Sequence, residues 1–145
     1  MFIQTNIICL LKFVLTYKVP LLLNSIAKIM TKDVITLPAN KTVADAAQVM
    51  LQYDISSVVI VNPEKDVPFG LISPYDILEL VMKKKSLDLS LKDYYKPLIS
   101  IRENESIAEA GKRFYENQVH HLVVVNDSFQ MIGILSTLDL AKYFN

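Results

Sequence analysis

The chain repeats itself. Displaced by 64 residues, Ile35-Thr36-Leu37 falls on Ile99-Ser100-Ile101, and Asn40, Ala44, Ala46, Val59, Val61 and Asn62 fall on the identical residues Asn104, Ala108, Ala110, Val123, Val125 and Asn126. After a loop one residue shorter in the second copy, a displacement of 63 places Gly70-Leu71-Ile72-Ser73-Pro74-Tyr75-Asp76 on Gly133-Ile134-Leu135-Ser136-Thr137-Leu138-Asp139. The chain has three glycines, and two of them share this one repeat position. A duplicated unit of about 60 residues buries too little surface to be comfortable alone. The two copies are therefore expected to pack together as a pseudo-twofold pair.

Each copy reads as β-α-β-β-α, an α/β (α+β) fold class. A short strand (Val34 to Leu37; Leu98 to Ile101) leads to a helix whose start carries a hydroxyl and, three residues later, an acid. Ser106 to Glu109 is a strict capping box and Thr42 to Asp45 an approximate one. Val43, Ala46, Ala47 and Met50, and Ile107, Ala110, Gly111 and Phe114, recur at helical spacing and are expected in the core. The apolar runs Val58 to Val61 and Leu122 to Val125 read as strands buried on both faces. Turn residues at Asn62 to Val67 and Asn126 to Gln130 precede third strands, Phe69 to Ile72 and Ile132 to Leu135. Helices from Pro74 to about Lys84 and from Thr137 to Phe144 close the copies. The charged stretch Lys83 to Asp88 is the expected linker, which divides the chain into an apolar segment 1–24, a first repeat 25–84 and a second 85–145.

Composition narrows the function. Fifteen basic residues balance fifteen acidic ones without clustering, so the positive footprint of a nucleic-acid binder is missing. Cys9 is the only cysteine and His120-His121 the only histidines. Adjacent strand residues point to opposite faces, which argues against metal ligation and against a structural zinc in particular. A single cysteine suits a reducing, cytoplasmic setting. Met1 to Leu23 is rich in Ile, Leu, Phe and Val but contains Lys12 and Lys18. An interface helix, membrane association and an extension without function all remain open for it. None of the motifs of nucleophile elbows, zinc proteases or phosphate-binding loops occurs, and the chain is expected not to be an enzyme.

The chemistry concentrates at the duplicated corner, apolar-Gly-apolar-apolar-Ser-x-x-Asp. Ser73 before Pro74 is a favourable N-cap followed by proline at the first helical position. A helix N-terminus and a cap hydroxyl suit phosphate, and an aspartate in the first turn can accept the two hydroxyls of a ribose. Capping alone would also employ both residue types, but their duplication at matching places favours a site.

These corners, together with the run Val119-His120-His121-Leu122-Val123-Val124-Val125, resemble CBS domains, over about residues 27–145. The resemblance implies a sensor that binds AMP, ADP, ATP or a related adenosyl ligand, without a catalytic cofactor, between two CBS repeats (a Bateman module). It assigns Ser73 and Ser136 to phosphate, and Asp76 and Asp139 to ribose. Thr36 and Ser100 would meet the polar edge of adenine, while Ile55, Ser57, Val58, Val119 and Leu122 line the base. His120 and His121 would approach phosphate, with packing an equal role for His121, and Thr137 joins the ligand-contacting set. The first copy departs by having Ser56-Ser57 where basic residues are frequent. Tyr75 and Leu138 are a second departure, at the solvent side of the corners. Such pairs form homodimers through their helices and signal to a regulated protein. The alternative is a structural, oligomerisation or membrane-tethered module with vestigial sites, for which the two aspartates would be dispensable.

Overall fold

A computed structural model describes residues 25–144. The readings of Met1 to Leu23 and of Cys9 lie outside these residues. After a short 3-10 turn (Ile26–Lys28), the elements are β1 (Thr36–Pro38), α1 (Val43–Tyr53), β2 (Val58–Val61), β3 (Pro68–Ile72), α2 (Pro74–Met82), β4 (Lys96–Pro97), β5 (Ser100–Arg102), α3 (Ile107–Asn117), β6 (His121–Val125), β7 (Met131–Ser136) and α4 (Thr137–Tyr143). The expected β-α-β-β-α order occurs twice. The expected first strands begin later than the sequence suggests, at Thr36 and Ser100.

The chain divides into two compact units, residues 31–100 and residues 101–144 with 25–30. In the first, the sheet order is β1-β2-β3-β4, with β1 parallel to β2 and the other pairs antiparallel. Its core gathers Val43, Ala46 and Met50 from α1, Val58 and Ile60 from β2, Ile72, Leu80 and Leu91. All four residues of β2 are buried, on both faces of the strand. Each such valine contributes on the order of 1.5–3 kcal/mol through its burial. Ala47, expected in the core, is only half-buried.

The stretch after α2 belongs to this unit for a definite reason. Helix α1 begins with amides that have no partner within the helix. The Val43 and Ala44 N–H groups donate to the carbonyls of Leu89 and Leu87, and the Leu91 N–H returns to the Lys41 carbonyl. Ser90 Oγ donates to the Ala39 carbonyl at 2.9 Å, and Leu91 is fully buried. A charged stretch that reads as a linker thus leads into a segment that completes the start of α1. Its continuation forms β4, where Tyr95 lies on Gly70. Conversely, residues 25–30 join the other unit through an isolated bridge between Ser25 and Ser106 and an Ala27 N–H bond to the Glu103 carbonyl.

In the second unit the sheet order is β5-β6-β7, with β6 and β7 antiparallel. Ile26, Ile101, Ile107, Ala110, Phe114, Leu122 and Leu135 are among its buried residues. The two units match in detail. Both β-hairpins shift register at the same repeat position, between Ile60 and Val61 and between Val124 and Val125. The duplicated asparagines organise the hairpin loops: Asn62 Oδ1 accepts from the Glu64 and Lys65 amides, and Asn126 Oδ1 from those of Ser128 and Gln130. Such side-chain turns are what asparagine offers a loop.

The capping boxes depart from expectation. Thr42 and Asp45 form the full reciprocal box, at 2.9 and 3.1 Å, and hydrogen bonds from the Thr42 backbone N–H and side chain hold the Asp45 carboxyl below its ordinary range. At the strict motif, Ser106 accepts from the Glu109 N–H, while the Glu109 carboxylate turns to Arg113 one helical turn on. The longer acid has Arg113 one turn on along its own helix, where the shorter one has Val49.

Candidate functional site

At both corners a β-strand ends on the serine that caps the next helix, and the aspartate returns to that serine. In the second unit the Ser136 N–H and Oγ–H both donate to Asp139 Oδ2, at 2.7 and 2.9 Å, and the Asp139 N–H donates to Ser136 Oγ at 3.1 Å. In the first unit the Ser73 N–H and Oγ–H donate to Asp76 Oδ2 at 2.8 and 3.0 Å, and the Asp76 N–H lies 3.1 Å from the Ser73 carbonyl. The hydroxyls expected to serve phosphate donate to the neighbouring carboxylate. Among the described residues every hydrogen bond to these carboxylates falls on Oδ2, so Oδ1 of Asp76 and of Asp139 keeps its acceptor sites. Asp76 is 4% exposed, and Asp139 is half-buried.

The segments entering β2 and β6 leave their helices alike. Asp54 and Gln118 end α1 and α3 in the left-handed region, both at φ 51°. Ile55 and Val119 follow, each half-buried, their N–H groups bonded to the Met50 and Phe114 carbonyls. Beyond them the units differ. The Thr137 N–H donates to the His120 carbonyl at 3.0 Å, and the β6–β7 ladder begins with His121 opposite Ser136. In the first unit the ladder begins one pair later, with Val58 opposite Ile72. Pro74, at the position of Thr137, has no N–H to donate.

The remaining expected site residues are spread over these elements. Thr36 opens β1, half-buried and opposite Val59, and Ser100 opens β5, exposed. Ser57 is half-buried, and Val58 and Leu122 are fully buried. His120 and Thr137 are exposed, and His121 is half-buried. Val119, His120 and Thr137 come together on an open cavity of about 680 Å³, with Gly111, Phe114, Tyr115, Glu116, Gln118 and Leu140. Gly111, expected in the core, faces open space: a Cβ there would meet nothing within 4 Å. Its glycine in mid-helix was the one signal of that cavity.

Sequence reasoning missed a polar cluster behind the first corner. Tyr94 Oη donates to the Asp76 carbonyl and to Glu79 at 3.2 and 3.1 Å, and Lys83 and Lys96 pair with the same Glu79 carboxylate. Hydrogen bonds from Lys83, Lys96 and Tyr94 bring the Glu79 carboxyl down to about 2. Desolvation, with the Glu79 bond, pushes the Tyr94 phenol up to about 12. Among the described residues no three histidine, cysteine or acidic side chains gather as metal ligands, and no helix is long and apolar enough to cross a membrane.

Duplicated strand-to-helix corners of this kind define a module built from two like repeats. The CBS domain model matches residues 26–83 and 91–145, and the chain belongs to the CBS domain family. Domains of this family are non-catalytic regulatory modules. Protein MK0525 of Methanopyrus kandleri is 32% identical over 121 residues, covering 81% of this chain and 61% of that protein. The inosine-5′-monophosphate dehydrogenase of Methanocaldococcus jannaschii is 34% identical over 116 residues, 79% of this chain but 22% of the enzyme. The chain thus spans less than two thirds of these relatives. The fold matches the CBS domain protein of Pyrobaculum aerophilum, solved with AMP, at TM-score 0.75 and 21% identity over 81% of this chain and 90% of that one. It also matches the CBS domain pair of protein MJ0100, solved with 5′-methylthioadenosine and S-adenosyl-L-methionine, at TM-score 0.74 and 20% identity over 83% and 95%.

Proposed function

We propose that this chain is a regulatory module that binds an adenosine-type ligand through its two corners. One observation carries the reading: each aspartate is fixed through Oδ2 by its serine while Oδ1 keeps its acceptor sites. That is an acceptor oriented before any ligand arrives, as a ribose diol requires. In this reading Asp76 and Asp139 hold ribose, and Ser73 and Ser136 hold the aspartates. Thr36 and Ser100 meet the adenine edge, Ile55, Ser57, Val58, Val119 and Leu122 flank the base, and His120, His121 and Thr137 serve the 5′ end in the second repeat. The AMP and S-adenosylmethionine complexes of similarly folded proteins support the ligand class. Ligand binding acts on a partner only through different affinities for two states. Melting the chain with AMP, ADP, ATP, S-adenosylmethionine and 5′-methylthioadenosine tests this. A ligand at about 100 times its Kd adds about 2.7 kcal/mol, several degrees at this size; a flat response to all five rejects the reading.

A second reading rests on a different observation. Leu51 and Tyr115 occupy one repeat position and are each 86% exposed, and Tyr75 and Leu138 occupy another, at 68% and 56%. Repeated exposed apolar groups on helices suit self-association of two copies. Light scattering of wild type and of Tyr115→Asp decides whether this face carries a dimer.

A further inference from the structure

We infer that the two corners select ligands of different charge, and that the first-repeat corner takes an adenosyl ligand whose 5′ substituent carries no phosphate, such as a 5′-thioether. The inference rests on the proposed ribose role of Asp76 and concerns what lies beyond the ribose. A 5′-phosphate needs donors or cations to offset the nearby carboxylate. At the first corner the serine and aspartate donors are spent and the first helical amide is absent. Pro74 has no N–H, the Asp76 N–H bonds to the Ser73 carbonyl, and the Ser73 N–H and hydroxyl both donate to Asp76. The next residue, Tyr75, presents an exposed aromatic ring.

Charge points the same way. None of residues 54–58 or 72–77 is basic, and both Asp54 and Asp76 are acidic. Lys83 and Lys96 are held by Glu79, with Lys96 also 5.7 Å from the Tyr94 ring centroid. Lys83, Lys84 and Lys85 follow the far end of α2, about 13 Å from its start at 1.5 Å per residue. Two like charges about 6 Å apart at an effective dielectric of about 20 cost on the order of a hundred-fold in affinity. The second corner spends its serine and aspartate donors in the same way, and the Thr137 N–H on the His120 carbonyl; what differs is Gln118 for Asp54, His120-His121 for Ser56-Ser57, and Thr137, with an exposed hydroxyl-bearing side chain, for Pro74. The segments flanking the first corner therefore bring no basic residue, and those flanking the second bring His120 and His121.

Calorimetric titration of the full chain with 5′-methylthioadenosine and with AMP tests this in wild type, Asp76→Asn and Ser56→Arg. Asp76→Asn keeps an acceptor for the Ser73 amide and should fold. It should weaken 5′-methylthioadenosine about ten-fold or more, the scale of a hydrogen bond to a charged group, while leaving AMP within about two-fold. Ser56→Arg, an exposed position, should strengthen AMP about ten-fold and leave the thioether unchanged. If AMP binds wild type as tightly as the thioether at a site that Asp76→Asn weakens, the charge selection is wrong while the nucleotide-binding reading stands. If neither ligand binds wild type, both fall.

Discussion

The Thr137 N–H donates to the His120 carbonyl across 3.0 Å, closing the ladder of β6 and β7 one residue beyond where the first repeat can. A single residue type decides it. Proline in the first repeat is ready for a helix start, but it leaves the carbonyl opposite without this partner. Two copies of one motif thereby close their ladders at different residues.

The first prediction follows from that bond. Thr137→Pro should loosen residues 118–121 and cost about 1 kcal/mol or less, the net worth of one hydrogen bond. Amide exchange at His121 and Leu122 should accelerate with little change elsewhere. Unchanged protection would mean that the bond does not hold the segment.

The two described glycine environments make opposite predictions. A Cβ on Gly70 would lie 2.6 and 2.9 Å from Tyr95 Cδ2 and Cγ. Gly70→Ala should therefore push Tyr95 off β3, disturb the Gly70–Pro97 pair and destabilise by about 1–3 kcal/mol, as overpacking does. Gly111→Ala meets nothing and should stabilise α3 by up to about 1 kcal/mol. Urea denaturation of both variants checks the contrast, and a shared sign would refute it.

Stability should depend on Glu79 in acid. Its carboxyl is depressed to about 2 from an ordinary value of 4.5, so its contribution is present above 4.5 and lost as pH falls from there toward 2. Tyr94 behaves inversely: raised from 10.0 to about 12, its contribution is present below 10 and lost as pH rises toward 12. Denaturation of wild type and Glu79→Gln across the acid range should show the difference between them shrinking below pH 4.5. A constant difference would exclude ionisation of Glu79 as the cause.

At the second corner, Asp139→Ala removes an acceptor from both ligand and cap. Stability should fall by about 0.5–2 kcal/mol through the lost cap, and ribose binding by at least about 1.5 kcal/mol. Deoxygenation of the ligand at 2′ should weaken wild type more than the variant, since the lost contact is shared. Titrations of both proteins with AMP and 2′-deoxy-AMP measure it. An undiminished deoxy penalty in Asp139→Ala would remove this residue from the ribose.

Much of this architecture was legible in the chain because duplication makes pattern unmistakable. Val58 to Val61 and Leu122 to Val125 read as buried strands from their brevity and β-branched content, and Asn62 and Asn126 marked loops that proved to be Asn-organised. Strand β4 was not legible: two residues, Lys96-Pro97, carry no alternation. Neither was the role of Leu87 to Leu91, whose carbonyls and amides, not side chains, complete the start of α1. At the corners the residue types could be read. The hydroxyl's direction could not, because serine next to aspartate can equally face a ligand.

Residues 25–30 and 101–144 form one unit, and residues 31–100 the other. Residues 31–100 thus enter the chain between the two segments of the other unit. Tension applied between Ser25 and the end of α4 would pass first through contacts such as Ser25 with Ser106 and Ala27 with Glu103. The inserted repeat would carry load only after those gave way. Under mechanical pulling, the repeat that holds the histidines should therefore open before the one that holds Asp76.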